Sequence, residues 1–142
     1  MRPFYETPEQ RDNEAVIARY VADQWRCEAI RMKRAFPVDY MLRGKNRSAF
    51  AEIKHRDYTM DAIDRMGGVF ISLLKWGTAK GLCDVSGFPL MVILRDSLND
   101  TYFSATSDFT HDGIDYNGRA DRGDDQDFEP VVLLRKHRFK KI

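Results

Sequence analysis

Apolar positions recur at helical spacing early in the chain, where Val16, Ile17, Tyr20, Val21 and Trp25 fall on one stripe with Ala15, Ala18 and Ala22 beside them. Thr7-Pro8-Glu9-Gln10 supplies a start signal: Thr7 as cap, Pro8 at the first helical position, Gln10 where a capping box wants it. The pattern predicts a helix over about 8–26. Three short runs of strand character follow, at 29–33, 38–42 and 49–54, the last two joined by the turn signal Gly44-Lys45-Asn46-Arg47. A second helix is predicted over about 60–80, because Ile63, Met66, Val69, Phe70, Leu73, Leu74 and Trp76 cover a broad face. Gly67-Gly68 weakens it by about 1 kcal/mol per glycine relative to alanine. Buried strands are expected at 88–94, 101–104 and 130–134. Between the last two lies a polar loop, 105–129, with Asp112-Gly113 and Asn117-Gly118 as turn dipeptides.

The hairpin register follows from the turn. Two or four residues centred on Lys45-Asn46 set Arg43 opposite Ser48, Met41 opposite Phe50 and Asp39 opposite Glu52. The other face pairs Leu42 with Ala49, Tyr40 with Ala51 and Val38 with Ile53, and is apolar throughout, so it is expected on the core beneath a helix. Facing carboxylates, with Cβ atoms roughly 4.5–5.5 Å apart, repel unless a proton or cation lies between them. Lys54 shares their face, since strand side chains alternate. Two carboxylates and a nearby backbone carbonyl make a hard-oxygen site suited to Mg²⁺ or Mn²⁺. A lysine beside it can orient or deprotonate a water. The alternative is a solvated hairpin face on which Lys54 merely neutralises Glu52, and the pattern leaves both open.

Composition narrows the class. With 142 residues, 43% hydrophobic and 32% charged, the chain suits one domain, 1–142, with a proper core. No apolar run approaches the roughly 18 residues of a membrane span, and MRPFYETPEQ lacks a secretory h-region, so no membrane partner and a cytoplasmic setting are expected. Cys27 and Cys83 are isolated, which argues for free thiols and against structural zinc. The net charge of +1 hides an uneven distribution. Residues 96–129 carry two Lys/Arg against ten Asp/Glu, whereas the tail 135–142 carries five Lys/Arg and no acid. The acidic run 121–129 lacks EF-hand spacing and reads as a solvated loop, with salt bridges to the tail or a guard over the cleft as further uses. The tail itself reads either as a nucleic-acid contact or as a solvated charge cluster.

Phe36-Pro37-Val38-Asp39, a short gap, then Ala51-Glu52-Ile53-Lys54 resembles the PD-(D/E)XK nuclease superfamily, and the αβββαβ order over about 8–95 is similar to its core. Pro37 stands one position away from the nominal Pro-Asp. The resemblance implies a restriction-endonuclease-like α/β fold, with a mixed central sheet and flanking helices. It further implies Mg²⁺-dependent hydrolysis of DNA phosphodiesters, with Mn²⁺ as substitute. Asp39, Glu52 and the Ile53 carbonyl would hold the ion, Lys54 would assist, and Glu14 looks like the acid that several members carry on the first helix. Lys45, Arg47, Arg56 and Lys75 are candidate phosphate contacts, each with a solvated basic rim as its alternative. Double-stranded or branched DNA is the expected partner, and a homodimer is compatible with the sequence. The segment 71–76 and the stretch 118–130 also look like small proteins of tailed bacteriophages, which implies action in a host cytoplasm. A nuclease fold kept for DNA binding or phage assembly, without catalysis, is the competing reading.

Overall fold

The computed structural model describes residues 8–117 and 129–142. The Thr7 cap, the Asn117-Gly118 turn as a whole and the acidic run over 121–128 lie outside those residues. Helix α1 (Pro8–Trp25) is followed by strands β1 (Glu28–Arg31), β2 (Tyr40–Arg43) and β3 (Ser48–His55). Next come α2 (Met60–Arg65), β4 (Val69–Ser72) and α3 (Leu73–Ser86), then β5 (Leu90–Arg95) and β6 (Thr101–Thr106). The chain ends with β7 (Gly113–Asn117), β8 (Glu129–Leu134), a 3-10 turn (Lys136–Arg138) and β9 (Lys140–Lys141).

Six strands form one mixed sheet in the order β1-β2-β3-β5-β6-β9, in which only β3 and β5 run parallel. Parallel neighbours need a crossover, and here α2, β4 and α3 supply it. The two central strands are accordingly buried on both faces. One face, with Tyr40, Leu42, Ala51, Ile53 and Ile93, packs on Ile17, Ala18 and Val21 of α1. The other, with Phe50, Leu90, Val92 and Leu94, meets Ile63, Ile71, Trp76, Cys83 and Val132. The second layer includes a three-stranded sheet, β4-β8-β7. The architecture is the mixed α/β sheet with flanking helices that the sequence predicts.

The helix expected over 60–80 is a correction. Gly67 and Gly68 both have φ of +114°, a conformation that L side chains rarely adopt. A Cβ on Gly68 would lie 2.5 Å from the Leu134 carbonyl oxygen. The backbone therefore presses against β8 at the pair, and Val69–Ser72 continues as a strand pairing antiparallel with β8. Ser72 then caps α3, its Oγ accepting from the Lys75 amide at 3.4 Å. The polar loop expected over 105–129 is also partly regular, because Gly113–Asn117 pairs with β8. No helix among the described residues is long and apolar enough to cross a membrane.

The basic tail is engaged within the chain. Arg135 pairs with Asp64, Lys136 with Asp61, Arg138 and His137 with Asp112, and Lys141 with Asp100. These partners lie outside the run 121–129. Glu129 instead accepts from Ser72 Oγ at 3.2 Å.

Candidate active site

The hairpin pairs as derived from its turn: Tyr40 with Ala51, Met41 with Phe50, Leu42 with Ala49 and Arg43 with Ser48. The ladder stops there. The Asp39 amide donates to the Ala51 carbonyl at 3.0 Å, so Asp39 and Tyr40 share one partner, as in a β-bulge. Asp39 Oδ2 then accepts from the Ile53 amide at 2.8 Å, where a regular ladder would use the Val38 carbonyl. Strict opposition of Asp39 and Glu52 is thus replaced by a bulge. Val38 is correspondingly turned away from Ile53 and packs with Phe50, Leu90 and Val92 on the other face.

The two acids still converge, and what they converge on is Lys75. Its Nζ lies 2.6 Å from Glu52 Oε1 and 3.7 Å from Asp39 Oδ1. The Glu52 side chain is 6% exposed, and its Oε2 is buried without a hydrogen-bond partner. Burial pushes the Glu52 carboxyl up to about 6, Asp39 adds to the rise, and the Lys75 and Lys54 ammoniums oppose it. Burial likewise draws the Lys54 ammonium down to about 8, helped by Arg56 and opposed by Glu52. For Lys75 burial works downward, but Glu52 and then Asp39 outweigh it and raise the group above the ordinary lysine range.

Phe70 of β4 organises the other cations. Lys54 Nζ lies 5.7 Å from its ring centre and the Arg56 guanidinium carbon 5.3 Å. Glu14 on α1 faces the same region: it lines a pocket with Asp39, Arg31, Lys33 and Arg34, and pairs with Arg31 at 3.9 Å. The structure therefore gathers Asp39, Glu52, Lys54, Arg56 and Lys75, with Glu14 across the pocket from Asp39. Lys45 and Arg47 stand apart, exposed in the hairpin turn. Glu52 lies five residue steps along the chain from Arg47, a rise of roughly 17 Å.

Three features escape a reading of the sequence. The cations beside Asp39 come from the end of β1, as Arg31, and from the β1–β2 loop, as Lys33 and Arg34, rather than from the hairpin turn. Phe70 is a strand residue under two cations instead of part of a helix face. Lys75 is a partner of the acids, a role hidden while it stands in the middle of a long predicted helix. The one available signal was Gly67-Gly68, which as a break puts Lys75 in the first turn of a new helix.

The donor set suits a hard cation. Glu52 Oε2 is an unmatched buried carboxylate oxygen, which calls for a donor or an ion. Asp39 keeps Oδ1 free of backbone bonds while Oδ2 anchors it to β3. Among the described residues no three Asp, Glu, His or Cys side chains stand close enough to enclose an ion. Mg²⁺ is commonly held by one or two carboxylates with waters and phosphate completing its shell, so two acids suffice.

Among solved structures the chain is similar to Hjc, a Holliday junction resolvase of Archaeoglobus fulgidus, an archaeal hyperthermophile. Identity is 18% and the TM-score 0.47, over 61% of this chain and 74% of that one. No curated protein matches significantly. A family model described as "Phage putative PDDEXK endonuclease" matches residues 1–142, the span that holds Asp39, Glu52 and Lys54, and the chain belongs to that family.

Proposed function

We propose that this protein is a metal-dependent endonuclease that hydrolyses DNA phosphodiester bonds. One observation carries the reading: Asp39, just before β2, and Glu52, on β3, aim their carboxylates at a single cation, with the Lys54 ammonium on the same face. Asp39 Oδ1, Glu52 and the Ile53 carbonyl would hold Mg²⁺, or Mn²⁺ in its place. The bound ion would offset charge on the scissile phosphate and make water easier to deprotonate. Lys54, drawn down to about 8, is part neutral near neutral pH and suited to accept a proton from the attacking water. The Phe70 ring lies 5.7 Å from the Lys54 Nζ, and Arg31, Lys33 and Arg34 would offer phosphate contacts beside Asp39.

A second reading has its own support. Lys75 already neutralises the acids, which is how a site kept for binding alone would look. Incubation with duplex, branched and single-stranded DNA, and with RNA, in Mg²⁺, Mn²⁺ or EDTA separates the two. The nuclease reading expects DNA cleavage with either ion and none in EDTA. Intact DNA binding with no cleavage under any condition would leave the binding protein.

A further inference from the structure

Lys75 occupies an unusual place. It sits in the first turn of α3, where the helix dipole disfavours a cation. Ser72 fixes that turn through its cap, so the ammonium is directed at the acids by the backbone as well as by charge. Asp39 Oδ2 already accepts from the Ile53 amide, which leaves Oδ1, the oxygen that faces Lys75, as the less committed of the two. Lys75 therefore stands on Glu52 Oε1 and beside Asp39 Oδ1, the two oxygens through which one ion could bridge both acids, while Glu52 Oε2 stays unpartnered.

We propose that Lys75 is the resident counter-cation of the Asp39–Glu52 pair and that a divalent ion must displace it in order to bind. The inference rests on the metal-dependent reading above. Freedom to move is unequal across the pair, which decides what gives way. The Glu52 side chain is 6% exposed and held in a central strand, whereas the Lys75 side chain is 35% exposed on a long unbranched stem. Exchange thus moves the lysine and leaves the carboxylates where they are. Lys75 is on this account a positioning residue: it keeps two like charges together until the ion arrives. Contacts made only in the metal-free state weaken metal binding by the same factor by which they stabilise that state.

The thermodynamic consequence is a gain of affinity when Lys75 is removed. Calorimetric titration of Mn²⁺ is expected to give Lys75→Met a dissociation constant about tenfold lower than wild type, within the usual range of coupling between sites. Lys75→Gln, which keeps a neutral donor for Glu52 and so protects the fold, should fall between them. Mn²⁺ should also raise the melting temperature of both variants by more than it raises that of wild type. A lysine that merely supports the fold predicts weaker binding. An ion seated on the Oε2 side of Glu52, with Lys75 left in place, predicts no gain. Either result, with wild type still binding Mn²⁺, overturns the proposal and spares the metal reading. No Mn²⁺ binding by wild type or by either variant overturns both.

Discussion

Glu52 and Lys75 are unequal partners, and their substitutions should differ in sign. The folded protein holds the Glu52 carboxyl at about 6, above its ordinary value, so folding favours the protonated form. Its contribution is most favourable below the unfolded value and declines as pH rises through about 6. Glu52→Gln removes that decline, and in EDTA at pH 7.5 it should melt no lower than wild type. Lys75→Met leaves a buried carboxylate facing Asp39 with no counter-charge, and should lose about 1–3 kcal/mol in the same melts. In the proposed mechanism Lys54 belongs to the chemistry instead. Lys54→Ala should lower the single-turnover cleavage rate at least about a hundredfold, while DNA affinity falls by less than about tenfold. Equal losses in both assays would make Lys54 another phosphate contact.

At the scale of elements, the double glycine determines where Lys75 can be. A continuous helix over 60–80 would bury a similar apolar set, but it would give β8 no neighbour at Val69–Ser72. Gly68→Ala places a Cβ 2.5 Å from a backbone oxygen at a positive φ, and strain of about 1–3 kcal/mol is expected in urea unfolding. Gly77 is the contrast. It lies inside α3 with open space where its Cβ would go, so Gly77→Ala should stabilise the fold by about 0.5–1 kcal/mol. Comparable effects at the two positions would remove the case for a packed turn at Gly68.

At the scale of the whole molecule, the basic residues divide between those paired within the fold and those exposed at the candidate site. Arg135, Lys136, Arg138 and Lys141 of the tail pair with Asp64, Asp61, Asp112 and Asp100, and Lys33 and Arg34 are exposed residues lining the pocket with Asp39. Lys33→Ala with Arg34→Ala should therefore weaken DNA binding and flatten its salt dependence. Arg135→Ala with Arg138→Ala should leave DNA affinity nearly unchanged and lower stability. The Arg138 guanidinium, chiefly, holds the Asp112 carboxyl well below the usual range. That contribution is present above the ordinary carboxylate pKa of about 4 and is lost as pH falls through the depressed value. Asp112→Asn should accordingly lower stability at neutral pH and flatten the acid limb of the unfolding curve below about pH 4.

The sequence by itself determined what depends on near neighbours. A turn signal and period-two alternation gave the β2–β3 pairing, and an apolar stripe at helical spacing gave α1, because both are settled within a few residues along the chain. With them came Glu52 and Lys54 on one face and Asp39 at the end of the adjoining strand. Tertiary structure decided the rest. Periodicity says which face is buried but not against what, so 60–80 could be read as helix until β8, some sixty residues on, claimed Val69–Ser72 as its neighbour. The bulge that sends Val38 to one layer and Tyr40 to the other belongs to the same class, since the Asp39 carboxylate stands in for a backbone carbonyl. Lys75 meets Glu52, and the tail meets its aspartates, only when the layers close, because Coulomb attraction acts through space and leaves no periodic trace in the chain.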